Sequence, residues 1–359
     1  MPSRVVASVP GKLILMGEHA AVYGRPAVVV AVGLRSRVEL QPADRGVEIA
    51  LPDLGHRETL DWEAVLAYAR AARRAWRRYA EEPSLERFEK VRGEDPAHLV
   101  KVALGEVADE LAEETPPLAL QVSSSLPIGS GFGSSAATAV GLVAGLLRFL
   151  GDEGAPDRVE PLALAVERRQ HGLPSGVDHR TVLMGGLVWA CRQSDGCLSV
   201  EPLAPGSELL SGLEVFHTGQ PEEATGTVVV AVGRQKERHP ERFAELLDRM
   251  ERDVREFREL LTSDEARPDL AMVLIRDYEA CLEEMGVVPE SVQRAIRRVE
   301  ALGGAAKISG AGSLSGPGAG CLLVHPAPGG EAAVEEELRA YARQPCALGV
   351  EGLRLEVEA

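Results

Sequence analysis

Residues 127–140, PIGSGFGSSAATAV, constrain the fold of this chain more than any other stretch. Gly129, Gly131 and Gly133 alternate with other residues, and Ser134 and Ser135 lead into a run of small apolar residues. Glycine reaches positive φ without steric cost and lets backbone N–H groups come close to a ligand. If the run from Ser134 is a helix, its first unpaired N–H groups and the positive end of its dipole face the same turn, which suits a phosphate. Taken alone, the stretch reads equally well as a strand-to-helix corner tightened for packing.

The flanking sequence supplies that strand and helix. LALQVSSSLP, ending at Pro127, has strand character, and the helix from Ser134 is expected to run to about Leu150. Upstream, residues 4–9 and 26–40 read as strands around the loop segment PGKLILMGEHAAVYGRP, and 62–92 and 98–113 as helices. Downstream, a helix at about 159–171 stops at HGLPSGVDH, which Gly172 and Pro174 mark as a loop holding Asp178. GGLVWACR and LSVEPLA read as paired strands, and the Pro- and Gly-containing segment at 204–212 as a domain boundary. Beyond it are expected a strand at 213–217, a helix from Thr225, a long amphipathic helix at 240–262, and helices at 268–285 and 289–302. A strand, the glycine-rich loop KISGAGSLSGPGAG, the strand CLLVHP, a helix at 330–342 and a strand at 352–358 complete the second half. This pattern is α+β, with one domain over 1–205 and another over 206–359.

Charge and cysteine content narrow the function. A formal charge of −16 repels nucleic acid and anionic membrane surfaces at long range, so neither is expected as a partner. Five scattered cysteines without CxxC spacing suggest neither a disulfide framework nor a zinc site, and a cytoplasmic location is expected. The longest apolar run, Ala136–Leu147, is too short to span a bilayer of about 30 Å as a helix. Lysine is scarce: 34 of the 39 basic residues are arginine, so a lysine in a glycine-flanked motif, such as Lys12 in PGK, draws notice.

Neither a GxxxxGK[ST] loop nor the protein-kinase signature set is present. Instead, VPGKLILMGEHAAVYGRPAVVVAV (9–32), PIGSGFGSSAATAV (127–140) and KISGAGSLSGPGAGC (307–321) resemble, in order and over nearly the whole chain, the three motifs of the GHMP small-molecule kinases. GEHAAVYG and HGLPSGVD are most similar to the mevalonate kinases of that superfamily. The resemblance implies a two-domain architecture: an N-terminal ribosomal-protein-like α/β domain, a C-terminal ferredoxin-like domain and an active site between them. It implies ATP and Mg²⁺ as cofactors and mevalonate as the small-molecule substrate, phosphorylated on its primary hydroxyl. Another acceptor (phosphomevalonate, the 3-hydroxyl of mevalonate or a sugar) and a non-catalytic ligand-binding protein are the alternatives. A homodimer is left open.

Residue by residue, the resemblance makes Asp178 the catalytic base and Lys12 its cationic partner. The base chemistry needs a carboxylate that reaches the acceptor hydroxyl, and a neighbouring ammonium lowers that hydroxyl's pKa. The glycine turn (Gly129, Gly131, Gly133) with Ser134, Ser135 and Ala136 would hold ATP phosphates. Glu167, eleven positions before Asp178, with Ser134 or Ser135, would hold the metal, which prefers oxygen ligands. Glu18, His19, Gly310 and Ala311 fall on the acceptor side, with Ser175, Thr225 and His171 as further candidates. The third loop departs from the family's compact glycine run: GAGSLSGPGAGC is several residues longer and contains Pro317.

Overall fold

The computed structural model describes residues 2–111, 115–127, 129–193, 195–206 and 208–358; Ile128 of the glycine turn, Ser207 of the expected boundary segment and residues 112–113 of the expected helix lie outside them. Strand β1 (Arg4–Met16) runs without interruption through the PGK motif and pairs antiparallel with β2 (Ala27–Pro42). The expected loop around that motif is therefore confined to 17–26. Two antiparallel strands not anticipated from sequence follow, β3 (Val47–Leu51) and β4 (His56–Leu60), because five-residue strands carry too little periodicity to be recognised alone. Helices α1 (Trp62–Glu81), α2 (Leu85–Arg92) and α3 (His98–Leu111) come next; Asp61 and Ser84 cap the first two through side-chain oxygens on Ala64 N and Arg87 N.

Strand β5 (Leu118–Ser124) leads into the glycine turn and α4 (Ser134–Phe149), then α5 (Pro156–His171), α6 (Val177–Met184), β6 (Leu187–Arg192) and β7 (Leu198–Leu203). The second part holds β8 (Glu214–His217), α7 (Thr225–Arg238), α8 (Pro240–Thr262), α9 (Pro268–Glu284), α10 (Glu290–Ala301), β9 (Ala305–Ser309), β10 (Cys321–His325), α11 (Glu331–Glu337), β11 (Ala342–Arg343) and β12 (Arg354–Glu358). Among the described residues this gives eleven α-helices and two sheets, a mixed α+β fold.

The larger sheet runs β12-β1-β2-β5-β3-β4, with β6 on β2 and β7 on β6; the smaller runs β11-β8-β10-β9. The last strand departs from the sequence reading. It pairs with β1 rather than completing the second half, so the chain ends in the sheet where it began. Its exposed, alternating residues give no sign of which edge they will join.

Helix α4 explains its own small residues. Almost every side is buried, and it lies on β1 and β2 closely enough that a Cβ on Gly145 would stand 2.7 Å from Leu40. One apolar core continues from this helix through α8 and α9 into β9 and β10, so the two sheets share their hydrophobic interior. In α8 the buried positions Phe243, Leu246, Leu247, Met250, Val254, Phe257, Leu260 and Leu261 follow helical spacing, which is why this element was legible in advance. No helix among the described residues is long and apolar enough to cross a membrane.

Helices α1 and α3 touch through a glycine. A Cβ on Gly105 would lie 2.1 Å from the Ala69 Cβ. Gly105→Ala is accordingly expected to cost about 1–3 kcal/mol by overpacking, read as a lower urea midpoint at unchanged slope.

Candidate active site

The Pro10–Gly11 step interrupts the register between β1 and β2. Just past it the Lys12 N–H donates to Phe132 O of the glycine turn at 2.9 Å. Gly11 is required for that approach, since a Cβ there would stand 2.7 Å from Phe132 O and 2.3 Å from Leu126. The Lys12 side chain then runs past Gly133, whose own Cβ would meet Lys12 Cγ at 2.8 Å. It ends with Nζ 3.1 Å from Asp178 Oδ1. The lysine side chain is 5% exposed and the aspartate 39%, so a buried cation meets an accessible carboxylate. Lys12 thus sits in mid-strand with its side chain buried.

Asp178 occupies the first turn of α6 rather than a loop. That helix was missed because its eight residues follow directly on PSG. Gly176 in the left-handed conformation opens it, and Ser175 Oγ accepts from Val177 N at 3.3 Å. Val177 packs with Val29, Val188 and Ala190 in a small apolar cluster of β2 and β6, which anchors the helix start and aims the aspartate beside Lys12. A carboxylate in a first turn is also favoured by the helix dipole.

Three glycines of the turn, Gly129, Gly131 and Gly133, all have positive φ, and no side chain caps α4. In its first turn, Ser135 Oγ donates to Glu167 Oε1 at 2.5 Å and lies 3.1 Å from His171 Nε2. Glu167 is buried, and burial pushes its carboxyl pKa up against the opposing pull of His171 and the Ser135 hydrogen bond. Ser134 and Ala136 share this turn of the helix. Lys12, Asp178, Glu167, Ser135 and His171 therefore form one cluster at the mouth of the glycine turn.

The third motif closes the other side. Ser309 Oγ accepts from Ile14 N (3.1 Å) and donates to Ile14 O (2.9 Å), clipping β9 to β1. Ser309 O lies 2.8 Å from where a Gly131 Cβ would be, and Gly310 follows against the same glycine. His19 Nε2 contacts Ala311 O at 3.0 Å, and burial lowers the His19 pKa. His19 is the one non-glycine residue with positive φ (58°) among the described residues, backbone strain of the kind that accumulates at functional sites.

Glu18 turns into the interior. Its side chain is fully buried, with Oε1 2.5 Å from Lys307 Nζ, while its carbonyl accepts from Tyr278 Oη at 2.9 Å. Glu279 packs behind this pair, taking the Ile308 N–H at 3.0 Å. Sequence reasoning assigned no role to Lys307 or to Tyr278; the one available signal was a rare lysine directly before ISGAG. Thr225 begins α7 at an exposed position, and no described hydrogen bond ties it to the cluster. Ser175 acts at the start of α6, as above.

Among the described residues, one other group of carboxylates and histidine comes together, His56, Glu58 and Asp95. Lys101 Nζ stands 2.9 Å from Glu58 and 2.6 Å from Asp95, so an ammonium already occupies the space between the two carboxylates and offsets part of their charge.

The sequence signature of the GHMP kinases N-terminal domain matches residues 98–186, from α3 to the end of α6. The mevalonate kinase of Thermococcus gammatolerans is 30% identical over 368 residues, covering 98% of both chains. The chain belongs to the GHMP kinase family. As a GHMP kinase it is an ATP-dependent phosphotransferase, and its fold agrees with that of solved relatives. A mevalonate kinase crystal structure superposes with a TM-score of 0.78 at 20% identity, covering 96% of this chain and 99% of that one. The mevalonate kinase of Methanococcus jannaschii gives 0.73 at 19% identity, covering 98% and 96%.

Proposed function

We propose that this GHMP kinase transfers the γ-phosphoryl group of ATP to the primary hydroxyl of mevalonate, giving 5-phosphomevalonate and ADP. The observation that carries the chemistry is the Lys12–Asp178 pair, 3.1 Å apart beside the glycine turn. The likeness to a mevalonate kinase along the whole chain supports the acceptor, which fold alone does not fix.

In this reading the acceptor oxygen forms a bond to the γ-phosphorus as the bond from that phosphorus to the bridging oxygen of ADP breaks. Asp178 takes the hydroxyl proton, and Lys12 stabilises the developing negative charge. The first N–H groups of α4 and the positive-φ glycine turn receive the phosphates, which requires positioning more than covalent work. His19, held by Ala311 O, stands on the acceptor side.

The donor set also fits a divalent cation. Glu167 is a buried carboxylate whose near partners are a hydroxyl and an imidazole, with Asp178 close enough to raise its pKa further. Glu167 and the hydroxyl of Ser134 or Ser135 would hold Mg²⁺, which prefers such oxygen ligands. Bound there, it would neutralise phosphate charge.

The test is ADP release with MgATP against mevalonate, phosphomevalonate, galactose and homoserine, with NMR of the product. Turnover with mevalonate and phosphate on the 5-oxygen is expected. Turnover with a different acceptor keeps the kinase and discards the substrate.

A further inference from the structure

The extended third loop is strapped along the segment between β8 and α7. Thr218 N donates to Gly320 O at 2.8 Å, Gly320 N to Gly219 O at 3.0 Å, and Ala319 N to Thr218 Oγ1 at 2.9 Å. Gly318 crosses Gly219 so closely that a Cβ would stand 2.8 Å from its backbone. The strap ends in a clasp. Glu223 Oε2 receives Ser313 Oγ at 2.5 Å and the Leu314 N–H at 3.0 Å, and Glu223 Oε1 receives Ser315 Oγ at 2.5 Å. Ser315 Oγ is also 3.0 Å from Glu222 Oε2. Burial alone would raise the Glu223 carboxyl, yet these donors hold it down at about 2, so the clasp stays charged at any working pH.

At its other end the loop carries Ala311, whose carbonyl contacts His19, and Gly310, which abuts the glycine turn at Gly131. Ser313 N is anchored to Val287 O at 2.9 Å, only two residues from Ala311. A loop this long and this rich in glycine has many conformations to lose, and a charged clasp removes them before substrate arrives. We propose that Glu223 is a positioning residue: by clasping Ser313–Ser315 it sets the Ala311 carbonyl, and through it His19, for the acceptor. The inference rests on the reading of Ala311 and His19 as acceptor-side groups.

Glu223→Ala is expected to lower kcat/KM for mevalonate on the order of ten- to a hundredfold while KM for ATP holds. Glu223→Gln, which keeps an oxygen for the Leu314 N–H, should recover part of that loss. Ser313→Ala/Ser315→Ala should reproduce the defect, and adding Glu223→Ala to it should deepen it little, because the groups act as one unit. Amide exchange at Leu314, followed in the same variants without substrate, should quicken. Faster exchange with an unchanged acceptor constant overturns the positioning role, and so does an equal loss for ATP and acceptor or full additivity. Unchanged exchange overturns the clasp itself. If the unmodified protein fails on mevalonate, the acceptor reading fails and the positioning claim with it, while the exchange data still judge the clasp separately.

Discussion

Asparagine in place of Asp178 is expected to lower kcat by about 10²–10⁴-fold, the usual contribution of a positioned general base. The substitution keeps size and a hydrogen-bond acceptor for Lys12 Nζ, 3.1 Å away, but removes the carboxylate proposed to take the proton. ATP binding should persist, because the glycine turn and the start of α4 lie on separate elements from α6. Single-turnover kinetics beside a nucleotide titration separates the two effects. Loss of turnover with retained ATP affinity supports the assignment, whereas a variant keeping more than about a tenth of wild-type kcat removes Asp178 from the proton's path.

Lys307→Met is expected to produce the largest loss of stability, about 3–5 kcal/mol, the cost of breaking a fully buried ion pair. The ammonium sits between Glu18 and the Ile308 carbonyl, at 2.5 and 2.7 Å, with Glu279 nearby. Methionine fills the space but leaves two buried carboxylates without a cation. Burial already raises both carboxyls, Glu279 well above its ordinary value; Lys307 is the chief opposing influence at Glu18 and, after the Ile308 N–H, also opposes the rise at Glu279. Without it their native pKa values rise further, so the folded variant takes up protons that the unfolded chain does not. Its deficit should therefore shrink as pH falls from neutrality toward the ordinary carboxylate value, and widen as pH rises. Urea unfolding at pH 5 and pH 8 measures this. Adding Glu18→Gln should recover part of the loss, because it removes one uncompensated charge. A deficit independent of pH would falsify the charge argument and leave packing as the cause.

Much of the architecture was open to a reader of the sequence, and the reasons are local. The α8 stripe from Phe243 to Leu261 repeats at helical spacing over about five turns, and the alternating glycines before Ser134 announce a positive-φ turn into a helix. What escaped were elements too short to carry a period: β3 and β4, five residues each, and α6, which puts Asp178 on a helix instead of in a loop.

By itself the sequence determined the α+β class, the three ordered motifs and the residue types that meet around the glycine turn, because these depend on spacing and on backbone freedom along the chain. Only the tertiary structure decided that β12 returns to β1, that Lys307 engages Glu18, and that Glu222 and Glu223 clasp a loop some 90 residues away. Those choices pair residues distant in sequence, where burial and charge complementarity set the partner and local periodicity carries no information about it.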